Sequence, residues 1–250
     1  MTSVDLNADL GEGDPHDAEL LGIVSSCNIA CGGHAGDEES MKTTIELALD
    51  NGVLIGAHPS YPDREGFGRR SGFMAANALA EPLREQLHNL NDVAAGLGAV
   101  VSHVKPHGAL YNDAASDEAL AEVVASAVVD MPARCALVGQ PGSALEHAAQ
   151  ALGIPFVAEA FVDRAYLADG RLVPRSESGA VYHDPEAMAA QAISLAVTQR
   201  VKSIDARSIE VRADTLCIHG DTPNAPDAAR AVRDALQARG VTIAAPEVTR

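Results

Sequence analysis

Histidine, lysine, arginine and carboxylate side chains recur at one kind of position in this 250-residue sequence: the point where an apolar, strand-like run ends and a loop begins. Parallel strands bring their carboxyl ends to one edge of a sheet or one mouth of a barrel, where such side chains meet. Independent loop histidines have no reason to gather after four different strands. We therefore predict one shared active site built from Asp9, His34, His58, Lys105, His107, Glu159, Arg164, His219 and Asp221.

The first predicted strand carries polar side chains on one face. Along residues 4–10, apolar residues alternate with Asp5, Asn7 and Asp9, as in a strand with two unlike faces. Burying two carboxylates and an amide costs on the order of several kcal/mol unless they bind something. Gly11 and Gly13 follow at once and allow the backbone to approach a ligand closely. We interpret this stretch as the floor and wall of a polar site.

Two kinds of chemistry suit the predicted site. Without a metal, Asp9 or a histidine would act as a general base, and Lys105 or Arg164 would stabilise an oxyanion. We favour this assignment because the residues come from separate strands, so that no local spacing of the H-E-x-x-H kind indicates a metal. A divalent metal stays possible, since imidazole and carboxylate ligands suit zinc or manganese, with Asp9, His34, His58 and His107 as its ligands.

Several other polar residues have simpler explanations. Asp37, Ser116 and Asp184 are expected to cap helices, since each precedes an apolar pattern of helical period. Cys31 is expected to be a small buried side chain. The arginines of the 64–70 loop are either an ordinary solvated surface or a cationic rim that receives an anion.

Composition narrows the class of protein. The formal net charge of −17 argues against nucleic acid or an anionic membrane surface as the partner. Only 3% of residues are aromatic and none is tryptophan, so stacking platforms for bases or sugars are scarce. The four cysteines do not form a disulfide framework. No apolar run approaches the ~18 residues of a membrane span and no signal peptide is evident, which predicts a cytoplasmic protein.

Strand-like and helix-like segments alternate along the whole chain. Strands are predicted at residues 4–10, 26–30, 53–57, 99–104, 134–138, 155–160 and 215–218, each followed by a helix or a loop. This alternation predicts one α/β domain over residues 1–250, most simply a (β/α) barrel of about seven strands. An open doubly wound sheet is the alternative, although no G-x-G-x-x-G follows the first strand.

Four ordered motifs resemble the LamB/YcsF family. They are DLNADLGE at 5–12, NIACGGHAGD at 28–37, GAHPSYPD at 56–63 and VKPHGALY at 104–111. The segments EAFVDRAY at 159–166 and CIHGD at 217–221 continue the match. The resemblance covers nearly the whole chain and implies a barrel of the glycoside hydrolase/deacetylase type.

The resemblance also implies a function. Members of the LamB/YcsF family open the lactam of 5-oxo-L-proline to L-glutamate, with ATP as co-substrate and with 5-oxoprolinase subunits B and C as partners. Which subunit binds ATP stays open, because this chain has no G-x-x-x-x-G-K-[ST] loop. On this hypothesis the catalytic candidates are Asp9, His34, His58, His107 and His219. The substrate-binding candidates are Asn7, Lys105, Glu159, Arg164 and Asp221.

Two alternatives are kept. The first is a metal-dependent deacetylase of polysaccharides or N-acetyl sugars, against which the scarcity of aromatic residues counts. The second is a non-catalytic subunit that binds the substrate while its partners carry out the chemistry.

Overall fold

Seven parallel strands close into a barrel in a computed structural model, which describes residues 2–220 and 224–246. The barrel order is β1-β2-β3-β4-β5-β6-β9, and β9 pairs back with β1. This closure confirms the predicted barrel and shows that the open doubly wound alternative is wrong. The strands are β1 (Ser3–Leu10), β2 (Ser26–Ala30), β3 (Leu54–His58), β4 (His103–Val104), β5 (Ala136–Gly139), β6 (Phe156–Phe161), β7 (Arg200–Lys202), β8 (Ser208–Glu210), β9 (Thr215–Cys217) and β10 (Thr242–Ile243).

Helices follow most of the barrel strands. Within the described residues they are α1 (Asp17–Leu21), α2 (Glu38–Asn51), α3 (Ala76–Gly96), α4 (Gly108–Ser116), α5 (Glu118–Val129), α6 (Ala144–Ala151), α7 (Pro185–Thr198) and α8 (Ala225–Ala238). In the described part of the chain, no helix combines the length and the apolar character that crossing a membrane requires.

Two of the three predicted helix caps are confirmed. Asp37 forms a capping box with Ser40 at the start of α2, and the Asp184 side chain accepts backbone N–H groups at the start of α7. The prediction for Ser116 is wrong, because this residue ends α4. The cap of α5 is Asp117, whose carboxylate accepts the N–H groups of the next helix. The sequence pattern did not predict α4, and the cap of the helix that follows it lies one residue later than predicted.

The two faces of β1 have different environments, as the alternation predicted. Its apolar residues lie in the main hydrophobic core between strands and helices. Asp5 and Asn7 are buried on the other face, each 2% exposed. Asn7 contacts Glu159 of β6 although β9 lies between β1 and β6. The contact therefore crosses the barrel interior, which is polar.

Candidate active site

A hydrogen-bond network fills the barrel below its carboxyl-terminal mouth. The Asn7 amide donates to Glu159 Oε1 (3.1 Å) and to Thr215 Oγ1 (2.7 Å). The Asn28 amide donates to Asn7 Oδ1 (2.8 Å), and His103 Nε2 lies 3.0 Å from Asn28 Oδ1. Burial, with the charges of Lys105 and His58, lowers the pKa of His103 to about 3. This neutral imidazole joins the strands and holds the floor of the site in place.

Lys105 links the floor to the mouth. Its ammonium lies 2.8 Å from both Asp9 Oδ1 and Glu159 Oε1, and 3.2 Å from Cys217 Sγ. Burial opposes the charge, but Asp9, Cys217 and Glu159 outweigh it and hold the pKa of Lys105 well above its usual value. Burial likewise opposes ionisation of Asp9, yet His58 and Lys105 hold the pKa of Asp9 well below its usual value. Both groups are therefore charged.

Three histidines and Glu12 meet at the mouth. Glu12 Oε1 lies 2.8 Å from His34 Nε2, 3.1 Å from His107 Nδ1 and 3.7 Å from His58 Nε2. His58 Nε2 is also 3.0 Å from His107 Nδ1 and 3.3 Å from Asp9 Oδ2. The rings of His34 and His107 stack face to face, with centroids 3.6 Å apart. The three histidines come from the loops after β2 and β4 and from the end of β3, as the strand-end pattern predicted, and Glu12 comes from the loop after β1.

Backbone carbonyls fix the orientation of two of these rings. His58 Nδ1 lies 2.7 Å from the Lys105 carbonyl, and His107 Nε2 lies 3.0 Å from the Phe67 carbonyl. A carbonyl only accepts, so both of these nitrogens carry the hydrogen. Phe67 has a φ of 52°, an unfavourable value for a residue with a side chain. The loop accepts this strain where it supplies a carbonyl to the site.

Burial shapes the charges of the cluster. It lowers the pKa of His34 to about 4, despite the hydrogen bond to Glu12. It also opposes ionisation of Glu12, but the neighbouring His107, His34 and His58 rings keep the pKa of that carboxyl far below its usual value. Glu12 is therefore a carboxylate. Burial also lowers the pKa of His107, whereas Asp9 outweighs burial at His58 and raises the pKa of that ring.

A second acid–base pair lies on the opposite wall. His219 Nδ1 is 2.7 Å from Asp163 Oδ2, and its ring stacks on Phe161 at 5.5 Å. Burial opposes the charge on Asp163, but His219 lowers the pKa of this carboxyl. Because Asp163 holds Nδ1, the other nitrogen of His219 is left for a substrate. An imidazole oriented by a carboxylate is suited to general-base catalysis.

These groups surround a cavity of about 950 Å³ at the carboxyl ends of the strands. Most of the predicted site residues line it: Asp9, His58, Lys105, His107, Arg164 and His219. Arginines also line the wall, namely Arg69, Arg171, Arg175 and Arg212. The cavity wall therefore carries cationic side chains although the chain as a whole is strongly acidic. Two of them, Arg171 and Arg212, are paired with Asp169 and Glu146.

The remaining candidates lie deeper. Asn7 and Glu159 belong to the hydrogen-bonded floor, and His34 contacts Glu12 from behind the His107 ring. Asp221 lies outside the described residues. In the arginine loop, Arg69 packs over the Phe67 ring and faces the cavity.

The other two arginines of this loop have structural partners. Arg64 donates to the carbonyls of Gly32 and Gly36, and Arg70 pairs with Glu65 and Asp63. Of these three arginines, Arg69 is the one that lines the cavity.

Sequence reasoning missed two residues. Glu12 sits at the centre of the histidines, and Asp163 orients His219. The signal for Glu12 was its position between Gly11 and Gly13, which both have positive φ values and turn the chain at the end of β1. Asp163 carried the weaker signal of lying two residues beyond β6.

Comparisons with known proteins bear on the family and on the fold of this chain. The family model of LamB/YcsF matches residues 4–250. The chain is 45% identical over 247 residues to the A subunit of the 5-oxoprolinase of Nocardia farcinica, covering 97% of this chain and 98% of that protein. It is 42% identical to the lactam utilization protein of Thermus thermophilus, whose crystal structure superposes with a TM-score of 0.92 over 98% of this chain and 100% of that one.

A more distant likeness concerns the fold alone. T48 deacetylase is 13% identical, with a TM-score of 0.51 over 97% of this chain and 87% of that one. The barrel is thus shared with a deacetylase, in agreement with the predicted fold type. From the near-full-length family match, the chain belongs to the LamB/YcsF family.

Proposed function

We propose that this chain is the A subunit of an ATP-dependent 5-oxoprolinase, which opens 5-oxo-L-proline to L-glutamate together with subunits B and C. The observation that carries this proposal is the 45% identity, along nearly the whole chain, to a relative named as the A subunit of 5-oxoprolinase. The cavity supports it, because acid–base groups and cationic groups lie on its walls.

The substrate is a small ring that bears a carboxylate, and Arg164 is suited to receive that group. Arg164 is 6% exposed and donates to the carbonyls of Val173 (2.6 Å) and Ala180 (3.4 Å). Burial and the neighbouring Arg175 lower the pKa of Arg164. A bound carboxylate would offset the repulsion between these two guanidinium groups. Lys105 already contacts Asp9 and Glu159, so we assign it to positioning Asp9.

The chemistry requires activation of a poor electrophile. ATP would phosphorylate the lactam carbonyl oxygen with release of ADP, which leaves the ring carbon open to attack. Water then adds to that carbon, the C–N bond breaks, and the ring nitrogen takes up a proton. His219, oriented by Asp163, is placed to accept the proton of the attacking water. A second water removes the phosphate and leaves glutamate.

Glutamate formation from 5-oxoproline and ATP tests the proposal. We expect activity only when the purified chain is combined with its B and C partners. Full ATP-dependent turnover by the chain alone would contradict the need for three subunits. No activity in a mixture of folded subunits would contradict the assigned reaction and would favour a deacetylase.

A matched pair of variants tests the substrate carboxylate. Arg164→Lys should raise KM for 5-oxoproline about 10-fold or more, because the planar fork that binds a carboxylate is lost. Arg134→Lys is the control, since Arg134 is exposed and donates to the Gly153 carbonyl. Equal KM values in both variants would show that Arg164 does not bind the substrate.

A further inference from the structure

Three hydrogen-bond acceptors converge at the mouth of the barrel. His58 Nε2 is 3.0 Å from His107 Nδ1, His107 Nδ1 is 3.1 Å from Glu12 Oε1, and His58 Nε2 is 3.7 Å from Glu12 Oε1. His58 and His107 are buried, at 1% and 5% exposure. The three side chains lie together at the wall of the cavity.

The tautomers make this convergence unfavourable without a cation. The N–H groups of His58 and His107 are both directed away, to the carbonyls of Lys105 and Phe67. Whenever both rings are neutral, the two converging nitrogens present lone pairs to each other and to the Glu12 carboxylate. Histidines that bind a metal through one ring nitrogen usually donate the other N–H to a carbonyl or a carboxylate in this way.

The separations also fit a metal ion. Nitrogen and oxygen ligands at about 2.0–2.1 Å from a tetrahedral zinc ion lie roughly 3.3 Å from each other, close to the three measured distances. Two histidines and one glutamate form a ligand set that leaves one position open for water or substrate. We propose that Glu12, His58 and His107 form a binding site for a divalent transition-metal ion of the zinc class.

Two neighbours contribute in other ways. The His34 ring is parallel to that of His107 within 4°, with centroids 3.6 Å apart, so an ion in the plane of one ring lies outside the plane of the other. His34 is instead a positioning residue, whose Nε2–H donates to Glu12. Asp9 is not included among the three ligands. Its Oδ1 accepts hydrogen bonds from Lys105 and Asn28, and only its Oδ2 lies near His58.

Metal binding at this place would not depend on the lactam as substrate. An ion at this place would polarise a carbonyl group or activate a water molecule. The cavity would then hold an electrophilic ion in addition to the acid–base pair of Asp163 and His219.

Direct metal binding tests the site without reference to activity. The full chain, dialysed against a chelator, is titrated with Zn²⁺ by calorimetry and with Co²⁺ by visible absorption. We expect one ion per chain, a rise in Tm on addition of Zn²⁺, and a Co²⁺ spectrum of tetrahedral type without a thiolate charge-transfer band.

Variants locate the ion. Glu12→Gln keeps the size of the side chain and should weaken binding by roughly 100-fold or more, as should His107→Asn. His34→Asn should weaken it by roughly 10–100-fold, the range expected for a residue that orients a ligand. His88→Ala is the control, because His88 is exposed on α3. Circular dichroism of each variant verifies that it is folded.

Three results would overturn the proposal. The first is a wild-type chain that binds no Zn²⁺ or Co²⁺, in which case a proton on one imidazole balances the cluster. The second is unchanged affinity in folded Glu12→Gln or His107→Asn. The third is a thiolate band in the Co²⁺ spectrum, which would place the ion at Asp9, Cys217 and His219, the second group of potential ligands.

Discussion

Two carboxylates on the same face of β1 have opposite environments. Asp5, near the start of the strand, accepts hydrogen bonds from the hydroxyls of Ser25 (2.6 Å), Ser26 (2.6 Å) and Thr215 (2.5 Å). Burial raises its pKa against these hydrogen bonds. Asp9, four residues later, contacts Lys105 and His58, and its pKa is lowered.

The difference is set by the other strands. At the bottom of the barrel they supply hydroxyl groups, which donate hydrogen bonds to the Asp5 carboxyl group and place no charged partner beside it. At the mouth they supply an ammonium and imidazoles, which hold a charged carboxylate beside the cavity. The lower layer therefore stabilises the barrel, and the upper layer is the place for chemistry.

Asn substitution at the two positions should separate these roles most strongly. Asp9→Asn should lower the turnover of the reconstituted complex by roughly 10³-fold, since a charged group beside the cavity is lost. Asp5→Asn should keep turnover within about 3-fold and lower the free energy of unfolding by about 1–3 kcal/mol. Steady-state kinetics and urea denaturation measure both. Retained turnover with a raised KM in Asp9→Asn would instead support a purely substrate-binding role.

Loss of the carboxylate behind His219 should give the next largest effect. Asp163→Asn should reduce kcat by roughly 10²–10⁴-fold, because the imidazole loses the partner that fixes its tautomer. Asp169→Asn is the control, since this carboxylate pairs with Arg171 at an exposed part of the cavity. If kcat is the same in both variants, His219 is not the general base.

Lys105→Met tests the charged upper layer by stability. Removal of the ammonium leaves Asp9 and Glu159 as uncompensated buried carboxylates, which should cost about 3–5 kcal/mol in the free energy of unfolding. The exposed Lys42→Met should change it by less than about 0.5 kcal/mol. Equal urea midpoints for the two variants would contradict the importance of this ion pair.

The smallest effect concerns packing within the barrel. A Cβ at Gly56 would collide with the His103 ring, whereas a Cβ at Gly96, in α3, would meet nothing within 4 Å. Gly56→Ala should therefore destabilise the chain by about 1–3 kcal/mol. Gly96→Ala should stabilise it by about 0.4–1 kcal/mol. Thermal denaturation of both shows whether the interior tolerates an added methyl group; a Tm for Gly56→Ala at or above the wild type would show that His103 can move.

Local patterns were sufficient for the architecture. The alternation along β1 identified its polar face, and the repeated strand–helix order predicted a parallel barrel with its chemistry at one end. Strand bounds were less accurate, because β4 is only His103–Val104 although residues 99–104 read as a strand. Strand limits depend on pairing with neighbours, which a single sequence does not reveal.

The sequence by itself determined that histidines and carboxylates follow the strands, and that a −17 chain needs local cations for an anionic ligand. Only the tertiary structure decided which of these groups meet. It placed Glu12 among three histidines and paired Lys105 with Asp9 and Glu159. The physical reason is that these contacts join residues far apart in the chain, through barrel closure and loop conformations such as the positive φ of Phe67.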